Sequence, residues 1–336
     1  MLDIELVRTL PERLRLATPA SSGPLALVPV FGGVAAPRYS LAADAIAAGT
    51  LAIAEVGEGQ VPTLAVGNAG EVPVLLVEGE HLQGARQDRV LNVTVLVPPK
   101  TDLPIPVSCV EQGRWAYRAE QRFAPAEEFA HTRLRAVKTA TVAARRRLVG
   151  DRMADQGAIW AEVERKRTEV GAGASSTAAM RDTFAERAME VDRILATFER
   201  PSPEQTGVVV CVGGEPVALD AFDRAETLAA LWPRLVRGYA MEALGSPPRS
   251  IDQAETSVFL EKVTSGEATE HDAVGLGTEV AITGQGSVAS ALVWQGAVVH
   301  IAAFADAMSA SRRRRSTRRP DPRRTWFHQG SGPDGG

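Results

Sequence analysis

Two short segments of the sequence each combine charged residues and glycine with a reactive or aromatic residue. Motif 1, EGEHLQGARQDRV, covers residues 78–90, and motif 2, PVSCVEQGRW, covers residues 106–115. Each combines charged residues and glycine with the apolar residues typical of strands. Buried charge is costly unless it is paired, so charges crowded at strand ends often serve a ligand. We therefore take motifs 1 and 2 as the candidate functional site.

Motif 1 offers carboxylates and guanidinium groups. Glu78 and Glu80 are two residues apart, so their side chains share one face if the strand continues through them. Such a pair suits Mg²⁺ binding, or an acid and a base with separated pKa values. Arg86 and Arg89 can grip phosphate or carboxylate. The alternative is a structural network in which the glutamates pair with these arginines at a hairpin.

Motif 2 offers a thiol, a carboxylate and an aromatic ring. Cys109 and Glu111 share a strand face, and Arg114 and Trp115 follow the turn at Gly113. A cysteine attacks as a thiolate, which a nearby arginine favours, but a cysteine in an apolar run is usually a small core residue. A covalent role and a packing role for the thiol both stay open. Trp115 suits either packing or stacking on a ring.

Motifs 1 and 2, in this order and spacing, resemble the domain family named for its association with ADP-ribosylglycohydrolases and rhodanese-phosphatases. The resemblance continues through DQGAIWAEV, the Ser-Ser-Thr at 175–177, GVVVCVGGEPVALDAFD and GLGTEVAITGQG, and covers residues from roughly 20 to 305. One departure from the family pattern is His81, which stands where an acidic residue is expected.

The resemblance implies an α+β domain with a proposed part in NAD- and ADP-ribose-linked metabolism. That implication rests on the domains that the family accompanies, which is association rather than chemistry. Carried over position by position, the resemblance implies a site composed of Glu78, Glu80, Gln87, Arg89, Cys109, Glu111, Arg114 and Trp115, with Asp220 as an outlying member.

Short apolar runs rich in Val, separated by Gly, Pro and Asn, predict strands in the first third of the chain. Residues 89–97 (RVLNVTVLV) give the strongest of these predictions, and a double proline ends the run. Residues 103–109 predict another extended segment. Its prolines predict an edge position, because proline cannot donate to the strand ladder.

The middle third predicts helices. A run from Pro125 to Gly150 has acids in its first turn and arginines in its last, which suits the helix dipole. Residues 155–170 predict a second helix, and residues 175–177 can cap a third that ends near Phe198. Strand patterns return at 207–212 and between 278 and 304. This order predicts an α+β fold, a mixed and largely antiparallel sheet with long helices inserted between N- and C-terminal strand regions.

The charge of the chain is unevenly distributed. Eight Arg and two Asp between Ala310 and Gly336 give +6, so the net charge of −4 leaves −10 on residues 1–309. An acidic body argues against general nucleic-acid binding, although an Arg-rich tail can bind polyanions weakly. We expect an N-terminal helical segment at 1–20, a single α+β domain at 21–308, and a disordered Arg-rich tail at 309–336.

Several protein classes are excluded by missing patterns. Two cysteines do not form a disulfide framework, and no apolar run is long enough for a signal peptide or a membrane span, so we expect a cytoplasmic protein without a membrane partner. The patterns HExxH, DxDxDG, GxSxG, GxGxxG and the P-loop are absent.

Three functional hypotheses remain. In the first, the Glu/Arg/Cys/Trp cluster binds or processes a phosphorylated or ADP-ribose- or NAD-derived small molecule, with Mg²⁺ as a candidate cofactor. In the second, the chain is a non-catalytic protein-interaction or scaffold module whose charge-rich helices contact a partner. The third is redox sensing through Cys109. Enzymatic activity and oligomeric state stay open at this level.

Overall fold

The computed structural model of the chain describes residues 2–60, 62–113, 122–175, 177–284 and 286–305. The helices in these residues are α1 (Leu2–Arg8), α2 (Leu10–Arg13), α3 (Ala42–Ala47), α4 (Thr132–Val149), α5 (Gln156–Glu169), α6 (Met180–Glu186), α7 (Ala188–Leu195), α8 (Ala225–Ala243) and α9 (Gln253–Thr264). None of these described helices is long and apolar enough to cross a membrane. The Arg-rich tail predicted at 309–336 lies outside the described residues.

The strands lie before α4 and after α7 in the chain. They are β1 (Arg15–Leu16), β2 (Ala20–Ser22), β3 (Leu25–Phe31), β4 (Ser40–Leu41), β5 (Leu51–Gln60), β6 (Thr63–Asn68), β7 (Val74–Leu76), β8 (Glu80–Gly84), β9 (Arg89–Leu91), β10 (Val95–Val97), β11 (Thr101–Cys109), β12 (Phe123–Phe129), β13 (Gly207–Val212), β14 (Glu215–Phe222), β15 (Glu267–Asp272), β16 (Thr278–Gly284), β17 (Ser287–Trp294) and β18 (Ala297–Ala305).

Three sheets form from these strands. The large sheet has the order β1-β3-β13-β14-β18-β17-β16-β15, with β2 also paired to β3. A second sheet has the order β12-β8-β9-β11-β6-β5. A bridge from Ala54 of β5 to Arg122, the residue before β12, connects the two ends of this sheet, so we call it the barrel. A small sheet, β10-β7-β4, lies beside them and contains a parallel pair, β4 with β7. All other pairings in the described chain are antiparallel, and the predicted α+β class is confirmed.

Apolar side chains fill three cores. In β13, Val208 and Val210 face a core shared with α4 and α8, whereas Val209 and Cys211 face a core shared with α1 and α9. Successive strand residues point to opposite faces, so a strand covered on both sides reads as a continuous apolar run. The third core includes the interior of the barrel, where Ile53 is fully buried.

The predicted strand at 89–97 is two strands in two sheets. β9 belongs to the barrel and β10 to the small sheet, and the chain turns between them at Asn92–Thr94. The turn residues form hydrogen bonds with distant parts of the chain. The Asn92 side-chain amide donates to the Arg152 carbonyl at 3.0 Å. The Thr94 hydroxyl accepts from the Glu78 N–H at 3.1 Å. The apolar pattern runs through the turn because both strands are buried.

The proline-containing strand β11 lies inside the barrel sheet, so its predicted edge position is wrong. Residues 101–106 pair with β6, and residues 107–109 pair with β9. Pro106 turns its carbonyl toward β9, where it accepts from the Asn92 N–H at 3.0 Å. β11 pairs with β9 only from Val107 onward, so Pro104 and Pro106 do not have to donate an N–H to β9, and an inner strand can contain them.

The helix predicted to begin at Pro125 begins instead at Thr132. Residues 123–129 form β12, which pairs with β8, and Phe123 and Phe129 are buried. The acids after Pro125 therefore belong to a strand, because pairing with the barrel outweighs their local preference for a first helical turn. The predicted end is correct: Gly150 caps α4 with φ +80, and its N–H donates to the Arg146 carbonyl at 2.9 Å.

Candidate functional site

Motif 1 turns sharply between its two glutamates. The Glu80 N–H donates to the Val77 carbonyl at 3.0 Å, and Gly79 takes φ +82. The shared face expected of a continuous strand is therefore not formed, and the carboxylates of Glu78 and Glu80 reach different partners. A Cβ at Gly79 would lie 2.5 Å from Arg135 Nε, so this glycine makes room for an arginine of the protein itself.

Glu78 lies in a buried ion cluster, defined here as Glu78, Arg135, Lys138 and Asp220, whose members are at most 1% exposed. Arg135 Nε donates to Glu78 at 2.9 Å, and its Nη1 and Nη2 donate to the two oxygens of Asp220 at 2.9 and 2.6 Å. Lys138 donates to Glu78 and to the Asn92 carbonyl. Helix α4 thus supplies the two cations that bind one carboxylate beside the barrel and one in the large sheet.

Charge pairing decides the protonation of this ion cluster. Burial alone would raise the pKa of Glu78, but Arg135 and Lys138 outweigh it and hold that pKa below its usual value. Asp220 behaves in the same way: burial is outweighed by Arg135 and by His300, and the pKa is lowered. Tyr239 adds a hydrogen bond to Asp220 at 2.5 Å. Both carboxylates therefore stay ionised although they are closed off from water.

The negative charge of Glu80 is balanced by an arginine of a different helix, α8. Its carboxylate accepts from Arg234 of α8 at 2.6 Å and from the Val77 N–H at 3.1 Å. Arg234 also lies over the Phe129 ring, 4.9 Å from the centroid. Glu78 and Glu80 are thus each held by protein cations. Across the described ranges, no group of three or more His, Cys, Asp and Glu side chains is arranged to hold a metal ion.

His81, the departure from the family pattern, lies between two carboxylates. Its Nδ1 is 2.8 Å from Glu128, and its Nε2 is 3.6 Å from Asp88. Burial alone would lower the pKa of His81, but hydrogen bonds and charges of Asp88 and Glu128 outweigh it and raise the pKa to about 9. His81 is therefore a buried cation at neutral pH.

The loop between β8 and β9 brings motif 1 against motif 2. The Asp88 N–H donates to the Glu111 carboxylate at 3.1 Å, and the Gln87 amide donates to the Glu111 carbonyl at 2.9 Å. Ala85 in this loop is fully buried and takes φ +41, a left-handed conformation that costs about 1–3 kcal/mol for a non-glycine residue. Loops normally run over the surface, and strained buried backbone is concentrated at functional sites.

Cys109 is held as a thiol at this junction. Its Sγ lies 3.3 Å from Gln87 Oε1 and 3.2 Å from the Glu111 carbonyl. The Gln156 side chain holds the backbone, accepting from the Cys109 N–H at 2.9 Å and donating to its carbonyl at 2.7 Å. Burial raises the pKa of Cys109 and is opposed only in part by Arg89. The thiol is therefore suited to hydrogen bonding rather than to nucleophilic attack.

Arg89 has a buried edge without hydrogen bonds. Its Nη1 donates to the Gln87 carbonyl at 3.1 Å, but its Nε and Nη2 make no hydrogen bond with any residue that the structure describes. Nη2 is 3.9 Å from Oε1 of Glu55, and within the described ranges neither carboxylate oxygen of Glu55 makes a hydrogen bond. More than 90% of buried polar groups are satisfied, so these four atoms require an explanation. We define the Arg89 site as Glu55, Gln87, Arg89, Cys109 and Glu111.

Four of the eight residues expected at the site come together in the structure: Gln87, Arg89, Cys109 and Glu111. Glu78 and Asp220 lie in the ion cluster, and Glu80 lies with Arg234. Arg114 and Trp115 lie outside the described residues.

Glu55 was missed by sequence reasoning, although the sequence carries a signal for it. In β5, Leu51, Ile53 and Glu55 alternate on one face, and the first two are buried in the core that includes the barrel interior. Burying a carboxylate is costly unless it is paired, so an acidic residue on an apolar strand face indicates a nearby partner or ligand. Arg135 and Lys138 were also missed, although they carry a comparable signal. Both are charged residues of α4 that are buried close to the buried Leu134.

Comparison with known proteins identifies one family. A family model described as the ARG and Rhodanese-Phosphatase-superfamily-associated Protein domain matches residues 13–304, a range that includes both motifs and the whole Arg89 site. No curated protein and no solved structure matches the chain.

The raised pKa of His81 predicts a loss of stability in mild alkali. Because the folded pKa of about 9 exceeds the ordinary 6.5, its contribution is complete below pH 6.5 and is lost as pH rises through 9. Between pH 6 and pH 10, we expect the wild type to lose about 3 kcal/mol more unfolding free energy than His81→Gln in urea titrations. His271→Gln is the control, since burial and Arg146 hold the pKa of His271 below 6.5. Equal losses in the wild type and His81→Gln would contradict this assignment.

Both cysteines are buried, which predicts slow alkylation of the folded protein. Burial raises the pKa of Cys109, and it raises that of Cys211 to about 11. With iodoacetamide at pH 7, we expect each to react at least about tenfold more slowly than in urea-unfolded protein, as followed by peptide mass spectrometry. Rapid labelling of Cys109 in the folded state would instead support redox sensing.

Proposed function

The chain belongs to the ARG and Rhodanese-Phosphatase-superfamily-associated Protein domain family, and on this premise we propose that it binds a phosphorylated small molecule at the Arg89 site. The observation that carries the proposal is the edge of Arg89 formed by Nε and Nη2, which is buried and has no hydrogen-bond partner in the described part of the chain. Leaving a buried donor unsatisfied costs about 1–3 kcal/mol, and more when the group is charged. A bound anion would remove this cost.

The geometry of the guanidinium group favours phosphate. The Nε and Nη2 edge presents two parallel N–H donors, which match two oxygens of a phosphoryl or carboxylate group. Nη1 is already directed to the Gln87 carbonyl at 3.1 Å, so the side chain is fixed before any ligand arrives. The association of the family with phosphatases, and the resemblance that links it to ADP-ribose metabolism, favour a phosphoryl ligand.

The neighbouring side chains supply recognition rather than covalent chemistry. Cys109 is held as a thiol by Gln87 and the Glu111 carbonyl, and its raised pKa disfavours the thiolate. The Glu111 carboxylate accepts from the Asp88 N–H at 3.1 Å and so holds the loop that carries Gln87 and Arg89. The proposal is therefore one of binding, with these groups shaping the site.

A second candidate is a non-catalytic protein-interaction or scaffold module. The observation that favours it is the pairing of Glu78 with Arg135 and of Glu80 with Arg234. Both glutamates are no more than 2% exposed. Two acids that face protein cations are unavailable to a substrate. On this account the surface helices would contact a protein partner.

Ligand binding at Arg89 can be tested by thermal shift and calorimetry. ADP-ribose, ribose 1-phosphate and inorganic phosphate are the probes, each at concentrations up to about 100 times its dissociation constant, where a ligand adds about 2.7 kcal/mol of stability. We expect at least one phosphorylated probe to stabilise the wild type. Arg89→Leu should weaken its binding by at least about tenfold, because a charged hydrogen bond contributes about 1.5–3 kcal/mol.

Arg237→Ala is the matched control, because Arg237 is a partly exposed arginine of α8 that pairs with Asp192 at the surface. It should bind the probes as the wild type does. If Arg89→Leu is folded by circular dichroism and keeps wild-type affinity, the ligand does not bind at Arg89. If no probe binds the wild type, the proposal is rejected, and a pull-down then tests the interaction module.

A further inference from the structure

Glu55 is the second group of the Arg89 site without hydrogen bonds. Its side chain is 5% exposed, and both carboxylate oxygens are buried and accept no hydrogen bond from the residues described above. Glu55 continues the strand face on which Leu51 and Ile53 fill the core that includes the barrel interior. A carboxylate in such a place is costly unless a donor reaches it. The ion pair with Arg89 does not supply one, because 3.9 Å is too long for a hydrogen bond.

The separation of the two groups restricts the ligand. Arg89 Nη2 and Glu55 Oε1 are 3.9 Å apart, so one small ligand with an acceptor and a donor close together can bind both groups at once. When hydrogen bonds of about 2.8 Å reach both groups from the same side, the two ligand atoms lie a few ångströms apart. A phosphate ester with a hydroxyl on the adjacent carbon meets this requirement.

We propose that Glu55 selects phosphate esters that carry a hydroxyl group on the carbon next to the phosphate-bearing carbon, as in a sugar 1-phosphate. This inference rests on the proposed phosphate binding by Arg89. The phosphate oxygens accept from Arg89 Nε and Nη2, and the adjacent hydroxyl donates to Glu55. Both charged groups are then satisfied by a single ligand, and their separation of 3.9 Å suits a phosphate and a hydroxyl on adjacent carbons.

The same arrangement rejects related phosphates. A phosphate ester without the hydroxyl brings a negative charge beside Glu55 and leaves its carboxylate without a donor. A site with a buried hydrogen-bonding group discriminates strongly against an analogue that lacks the partner. The four recognition atoms are closed off from solvent here, so a ligand enters only when the surrounding side chains move apart.

Ribose 1-phosphate and 2-deoxyribose 1-phosphate form a matched pair, because they differ only in the hydroxyl next to the phosphate-bearing carbon. By isothermal titration calorimetry, we expect the wild type to bind ribose 1-phosphate at least about tenfold more tightly. Glu55→Leu removes the acceptor and the repulsion. It should bind both sugars with similar affinity, and 2-deoxyribose 1-phosphate at least as tightly as the wild type does. Glu55→Gln retains polarity and should reduce the preference if Glu55→Leu does not fold.

The outcomes separate this inference from the proposed function. If the wild type binds both sugars equally, selection by Glu55 is overturned and phosphate binding stands. If the tenfold preference persists in a folded Glu55 variant, the hydroxyl is read elsewhere and the inference is overturned. If neither sugar binds although ADP-ribose or inorganic phosphate does, the adjacent-hydroxyl requirement is overturned alone. If no phosphorylated probe binds, both proposals are overturned.

Discussion

A guanidinium group closed off from water needs carboxylates around it, and the fold provides Arg135 with two. One is Glu78, in the turn that leads into the barrel, and the other is Asp220, in the large sheet. Hydrophobic burial joins the barrel and the large sheet without fixing their register, because it is not directional. The hydrogen bonds of Arg135 are directional, so we infer that they set how the barrel sits on the large sheet. Removing one partner of a buried ion pair leaves an uncompensated charge, which is strongly destabilising.

The ion cluster also reaches the Arg89 site through the backbone. Lys138 donates to the Asn92 carbonyl at 2.7 Å, at the end of β9, the strand that begins with Arg89. The Asn92 side chain accepts from the Ser108 hydroxyl at 2.7 Å, and Ser108 precedes Cys109 in β11. The positions of motifs 1 and 2 therefore depend on charges that lie outside the Arg89 site.

Much of the site could be predicted from residue types and spacing, because motifs 1 and 2 flank strands that pair in the barrel. That pairing explains why Arg89 and Cys109 meet. The glutamates of motif 1 could not be placed in this way, because the turn at Gly79 accommodates Arg135, a residue more than fifty positions later. Glu55 was missed since it lies on a strand distant in sequence, and only the closure of the barrel brings that strand near Arg89.

Unfolding free energies of Arg135→Met and Arg145→Met, measured by urea titration, test whether the ion cluster holds the barrel on the large sheet. Both positions lie on α4, but Arg135 is fully buried between Glu78 and Asp220, whereas Arg145 pairs with Asp151 at the surface. We expect a loss of about 3–5 kcal/mol for Arg135→Met and a far smaller change for Arg145→Met. Equal and small changes in the two variants would show that the ion cluster does not hold the barrel on the large sheet.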